Sequence, residues 1–219
     1  MWYNNLNSFG TSSEDERTLA QYIMGENEAF EALTESIQKS IISVRTTRFS
    51  PYSVVGQQNT FFNSINDLMS QKVHPETFER IITANNSEKF NEIAKLMANN
   101  TGKDFKIYIS RIEYSFEMVI IDDEIVFIHF RKYTDMADET PSEPPVALIT
   151  ATLKIEKRII AKEFSEIFDS IKSNSKDIVC VIDCKKLTTE NLGREIDKYR
   201  KQFNSAVTEY EAALNKNME

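Results

Sequence analysis

Residues 118–128, Met-Val-Ile-Ile-Asp-Asp-Glu-Ile-Val-Phe-Ile, constrain the fold more than any other stretch of this chain. Two apolar, β-branched runs flank three acids, and such runs pack best on a pleated, half-buried surface. Asp122-Asp123 marks a tight connection, because short polar side chains tolerate the left-handed backbone of a hairpin turn. The stretch therefore predicts two antiparallel strands, over residues 115–121 and 124–131.

The remaining pattern alternates between helical and extended periods. Ser13-Glu-Asp-Glu16 reads as a capping box. It opens a predicted helix carrying Leu19, Tyr22, Ile23, Phe30, Leu33 and Ile37, weakened in the middle by Gly25. Residues 41–49 predict a strand, stopped by Ser50-Pro51. Phe61, Phe62, Ile65, Leu68 and Met69 predict a second helix, and residues 77–83 a second strand. Ser87 is expected to cap a third helix bearing Phe90, Ala94 and Met97, with Gly102 as its terminator. Further strands are expected over 105–111, 146–153 and 178–182, and helices over 160–171 and 189–217. Residues 133–145 hold Pro141, Pro144 and Pro145, show no period, and predict a mobile loop. Helix–strand alternation predicts an α/β fold with a mixed, mostly parallel sheet flanked by helices.

Composition narrows the classes of partner. The net charge is -8 over 219 residues, which repels a phosphate backbone on average. The basic stretches Lys185-Lys186 and 194–201 are interrupted by acids. The expectation is no direct nucleic-acid contact. No window approaches the ~20 apolar residues of a membrane helix, and residues 1–10 lack the pattern of a signal peptide. A cytoplasmic protein is expected, with no membrane partner. Cys180 and Cys184 lie close together and far from His74 and His129, so they read as reduced thiols rather than a zinc site. No metal and no cofactor are expected.

The element order and several local patterns resemble the phospholipase D-like superfamily over residues 14–173, leaving residues 174–219 as a C-terminal strand and a long amphipathic helix. The resemblance rests on Val44-Arg-Thr-Thr-Arg-Phe-Ser-Pro51, on the 118–128 hairpin, and on 151–171 with its Phe164-Ser-Glu-Ile-Phe168. In that family an H-x-K-x4-D motif supplies a His nucleophile and a phosphate-holding Lys. Here the frame reads Ser115-Phe-Glu117, with Asp122 at the Asp position. The family's Gly-Ser-x-Asn stretch is replaced by His129-Phe-Arg-Lys132. A carboxylate in the place of the Lys repels an anionic diester, and an unassisted Ser is a poor nucleophile. The resemblance thus implies a degenerate, non-catalytic domain. It is similar to the effector domains of some prokaryotic transcription regulators, with a ligand-sensing or assembly role. Two other readings stay open: an enzyme of the superfamily with altered chemistry through Ser115 or His129, and a structural dimer subunit.

Candidate ligand-binding residues follow from placement. Ser115 and Glu117 share a strand face that, in the resemblance, opens toward the site. Arg48 lies near a strand's C-terminal end, where ligands of open α/β sheets bind. Arg80 and Arg111 lie in the second and third strands; if they converge with Arg48 they make an anion site or balance Glu117, and otherwise they are ordinary surface ion pairs. His129 shares an apolar face with Ile125 and Phe127, as a core histidine does. On the terminal helix, Leu192, Ile196, Tyr199, Phe203, Val207, Tyr210 and Leu214 form one stripe, which must be buried. Because domains of this family commonly work in pairs, a homodimer through Leu192, Ile196, Tyr199, Phe203 and Tyr210 is expected, with a further protein partner.

Overall fold

The computed structural model describes residues 19–49, 76–113, 116–133 and 147–216. In chain order the elements are β1 (Leu19–Met24), α1 (Glu26–Gln38), β2 (Ser43–Arg48), β3 (Thr77–Thr83), α2 (Lys89–Asn99), β4 (Phe105–Ser110), β5 (Glu117–Ile121), β6 (Ile125–Tyr133), β7 (Ala147–Glu156), α3 (Arg158–Ser173), β8 (Ile178–Asp183) and α4 (Leu192–Lys216). A short 3-10 turn, Cys184–Lys186, follows β8. The capping box at Ser13–Glu16, the helix predicted around Phe61–Met69, and all but the first residue of the loop predicted over 133–145 lie outside the described residues.

The eight strands form one mixed sheet, in the order β1-β7-β6-β5-β2-β3-β4-β8. The hairpin predicted at Asp122-Asp123 joins β5 to β6, with Glu117 opposite His129 and Ile121 opposite Ile125. Both turn residues take positive φ, 54° and 55°, as the mirror-image hairpin turns require. The expectation of a mostly parallel sheet is corrected. Only β2–β3 and β3–β4 pair parallel; the other five pairings are antiparallel. A parallel neighbour needs a long crossover. The chain supplies one of these through α2, between β3 and β4, and the other across 49–76, between β2 and β3. Elsewhere strands return antiparallel, and β8 pairs antiparallel with β4.

The first predicted helix is also corrected. Residues Leu19–Met24 are an edge strand against β7, and the helix begins only after Gly25. Leu19, Tyr22 and Ile23 fit a helical stripe by spacing, but Gly25 takes φ 96° and ends the strand there. A left-handed residue of this kind is cheap for glycine alone.

Helices cover both faces of the sheet. On one face lie α1, α2 and α4, packed through Ala29, Leu33, Phe90, Ile93, Met97, Phe203 and Val207 onto Val44, Phe78, Phe105, Val119 and Phe127. The other face carries α3, whose Phe168 and Ile171 meet Phe49, Ile81, Met118, Ile120 and Val126. The α3 face also holds a polar clamp. Arg45 bonds Asp123 at 2.7 Å, and Ser165 donates to the same oxygen at 2.5 Å. Glu79 accepts from Tyr108 at 2.7 Å and from Lys172 at 3.0 Å.

Candidate functional site

Strand alternation sorts the candidate residues before any contact is considered. Arg45 and Arg48 are an odd number of residues apart and point to opposite faces. Arg45 joins the clamp under α3, whereas Arg48 faces the α1–α2–α4 side. Register then sets Arg80 beside Thr46, Glu117 beside His129, and His129 beside Thr152. The result is a cluster of polar side chains on an otherwise apolar face, with Arg80 and Thr46 one rung away from Glu117, His129 and Thr152. All are buried: Arg80 is 2% exposed, Arg48 3%, Glu117 6% and His129 6%.

Arg48 is the last residue of β2, where the chain leaves the sheet, whereas Arg80 lies in the middle of β3. Glu117 accepts the backbone N–H of Phe49 at 3.0 Å. Lys89, from the first turn of α2, enters the same region. Its ammonium donates to the Asn85 Oδ1 at 2.6 Å, the Thr83 carbonyl at 3.3 Å and the Phe49 carbonyl at 3.4 Å. Burial, reinforced by Arg48 nearby, pushes the Lys89 amine down to about 7, against the partial support of Glu117, Glu113 and Glu92. Arg48 Nε stands 3.9 Å from the Glu92 carboxylate. Asn85 in turn donates to the Phe49 carbonyl at 2.8 Å and to Glu113 at 3.2 Å.

The structure therefore brings Arg48, Arg80, Glu117 and His129 onto one buried face. It does not bring Arg111 there. Arg111 lies one residue past β4, about half exposed, and pairs with Glu209 of α4 at 3.4 Å. Ser115 lies outside the described residues. His129 Nδ1 shares a hydrogen bond of 2.9 Å with the Thr152 hydroxyl. Lys89, Asn85 and Glu113 were not legible as site residues in the sequence. Lys89 sits between the cap and Phe90 of an amphipathic helix, where a lysine ordinarily reaches water. The one available signal was its place at the first helical turn after a parallel strand.

Asp122, the Asp of the motif frame, has a structural task. Its carboxylate accepts from the backbone N–H groups of Ile41 (2.9 Å), Ile42 (2.9 Å) and Ser43 (2.8 Å), and from the Ser40 hydroxyl (2.9 Å). Partial burial alone raises its pKa, but these donors outweigh it and hold the carboxyl below its usual range. Cys184 is buried and Cys180 half-buried, and both are free thiols. Burial pushes them up to about 12 and about 11, so neither is a ready nucleophile. Among the described residues no group of three or more His, Cys, Asp or Glu is placed to hold a metal ion. In the same residues no helix is long and apolar enough to cross a membrane.

No protein-family model and no curated protein matches the chain. Solved structures do. Phosphatidylserine synthase of Haemophilus influenzae is similar with a TM-score of 0.52 and 11% identity, over 83% of this chain and 43% of that one. TrmBL2, an archaeal chromatin protein with a novel mode of DNA binding, is similar with a TM-score of 0.46 and 14% identity, over 76% of this chain and 55% of that one. NucT of Helicobacter pylori has a TM-score of 0.45 and 16% identity, over 70% of this chain and 95% of that one. This chain thus spans about half the length of the first and second of these proteins. The synthase carries the fold argument, and it supports the phospholipase D-like fold expected from the hairpin.

The partner expectations are corrected. Net charge does not exclude nucleic acid, since a DNA-binding chromatin protein stands among the similar structures. The terminal stripe does not wait for a second copy. Phe203 and Val207 are buried in the chain's own core, with Leu192, Ile196 and Tyr199 packed against it. The Phe203 ring lies 5.6 Å from that of Phe90. Tyr210 donates to Glu113 at 2.8 Å. The described part of the stripe packs within the chain because β8 closes the sheet edge and returns α4 over α2.

Proposed function

We propose that this chain is a non-catalytic module of phospholipase D-like fold that senses an anionic ligand at the C-terminal ends of β2 and β3. The observation that carries the reading is the use to which the motif frame is put. Glu117 holds the Phe49 N–H, and Asp122 holds the backbone of residues 41–43. Both acids tie the hairpin to β2. A carboxylate at position 117 cannot supply the positive charge that stabilises a transferring phosphoryl group.

Cationic side chains nevertheless reach the region. Among the described residues its buried charged side chains are Arg48, Arg80, Lys89 and Glu117. The guanidinium groups of Arg48 and Arg80 suit phosphate or carboxylate geometry, with Glu117, Glu92 and Glu113 balancing part of the charge. The location agrees with the general rule for ligands of open α/β sheets.

Two measurements test the proposal together. Purified protein is incubated with bis(4-nitrophenyl) phosphate and with DNA, and is separately titrated with sulfate while its melting temperature is followed. No hydrolysis and a rising melting temperature are expected, with the rise lost in Arg48→Met. Turnover that disappears in Ser115→Ala would sink the non-catalytic reading. A melting temperature indifferent to sulfate would sink the anion-sensing one.

A further inference from the structure

Lys89 is fixed more completely than a lysine in the first turn of a helix requires. Its ammonium has three hydrogens, and three acceptors meet it: the Phe49 carbonyl one residue past β2, the Thr83 carbonyl at the end of β3, and Asn85 Oδ1 in the turn before α2. The residue is 2% exposed. Each N–H is therefore committed inside the protein. Lys89 can act on a bound anion through its charge, not through contact.

That charge decides the balance of the cluster. Among the described residues, the charged groups around Lys89 are Arg48 from β2, Glu92 from its own helix, Glu113 beyond β4 and Glu117 from β5. Arg80 of β3 lies on the same face, His129 of β6 stands opposite Glu117, and Tyr210 of α4 donates to Glu113 at 2.8 Å. Without Lys89, two guanidinium groups stand against three carboxylates; with its ammonium, the count is three against three. Burial, with Arg48 acting in the same direction, brings the amine down to about 7 against the pull of the three glutamates. The deciding charge is present in mild acid and absent in mild base.

We propose that Lys89 makes the anion site proton-operated: its ammonium admits an anion beside Arg48, and loss of that proton turns the anion away. This rests on the anion-sensing reading above and adds its regulation. The neutral amine has two N–H donors for three acceptors. Its deprotonation also removes one positive charge from a buried cluster, where charges are screened far less than at the surface. The coupling is reciprocal, so a bound anion must hold the proton on Lys89 to higher pH by the same factor.

The test titrates the full chain with sulfate, which keeps both its charges throughout, at several pH values between about 6 and 9. The Lys89 side chain is followed by NMR with and without sulfate. Roughly five-fold weaker binding is expected at the basic end than at the acidic end. The affinity should change where Lys89 titrates, and sulfate should move that titration to higher pH. In Lys89→Met, affinity is expected to be low and level across the range. Equal affinity for wild type throughout overturns the switch and leaves the anion reading standing. A pH dependence that survives in Lys89→Met overturns it too, and passes the role to another group such as His129. Should that variant not fold, the wild-type chain decides: a Lys89 titration indifferent to saturating sulfate overturns the proposal. If sulfate binds at no pH, the anion reading fails and the switch falls with it.

Discussion

Lys89 and Asp122 are both charged groups that the fold holds indoors, and they respond to pH in opposite ways. The Lys89 amine is lowered from 10.5 to about 7 in the folded chain. Between those values the unfolded chain binds a proton that the folded chain does not, so stability contributed by this group rises with pH across the window. Below pH 7 the cost of burying the ammonium is fully present. Lys89→Met is expected to flatten the rise in urea midpoint between pH 7 and 9; an unchanged slope would show that the ammonium is solvated. Asp122 lies on the other limb. Its folded pKa is depressed, so its contribution is present above the ordinary carboxylate value of 3.8 and is lost as pH falls through the lower folded value. Asp122→Ala strips the partner from three backbone N–H groups and should cost about 1–3 kcal/mol. Denaturant curves at pH 7 and pH 3 check this, because the difference between variant and wild type must shrink in acid.

Elements of this chain were legible where one period ruled and obscure where two competed. The hairpin at Asp122-Asp123 was readable because its flanks are β-branched and its turn residues accept positive φ, which the structure gives them. Leu19–Met24 was read as helix because its few apolar residues also fit a helical stripe, and because the β7 strand that pairs with it lies far along the chain. Gly25 was the true signal, a break rather than a weak point. Gly25→Ala places a side chain at φ 96°, against the Glu28 carboxylate. It is expected to cost about 1 kcal/mol or more, against a gain for the same change inside an ordinary helix. The stripe on α4 was legible as buried, but periodicity alone does not say by what. Phe203 is 0% exposed within one chain, and Phe203→Ala should therefore cost about 3–5 kcal/mol. Sedimentation and melting separate the cases: loss of stability independent of protein concentration agrees with the structure, and a concentration-dependent loss does not.

At the scale of the whole molecule, the site and the sheet topology share a cause. The two parallel pairings, β2–β3 and β3–β4, bring three C-terminal strand ends to one edge, and Arg48 and Lys89 collect there, while Arg80 lies mid-strand. The antiparallel strands β5 and β6 then deliver Glu117 and His129 into the same cluster. Spacing along the sequence could suggest faces, but not that strands β2 and β5, separated by some seventy residues, are neighbours. That is why Arg48, Arg80 and Glu117 could be proposed from the sequence, whereas Lys89 and Asn85 could not. The C-terminal segment completes this arrangement. Strand β8 covers the outer edge of β4, and Ile182, Cys184, Leu187 and Phe203 belong to the same cluster as Phe90 and Phe105. Removing it would bare an apolar edge strand and open the floor beneath α2, including the first turn that carries Lys89. A chain ending at Ser173 is therefore expected to aggregate or remain unfolded, and the full chain to melt in one transition. Circular dichroism of both decides the matter. A folded, soluble fragment, or two separate transitions in the full chain, would show that β8 and α4 form a unit of their own rather than the closing edge of a single sheet.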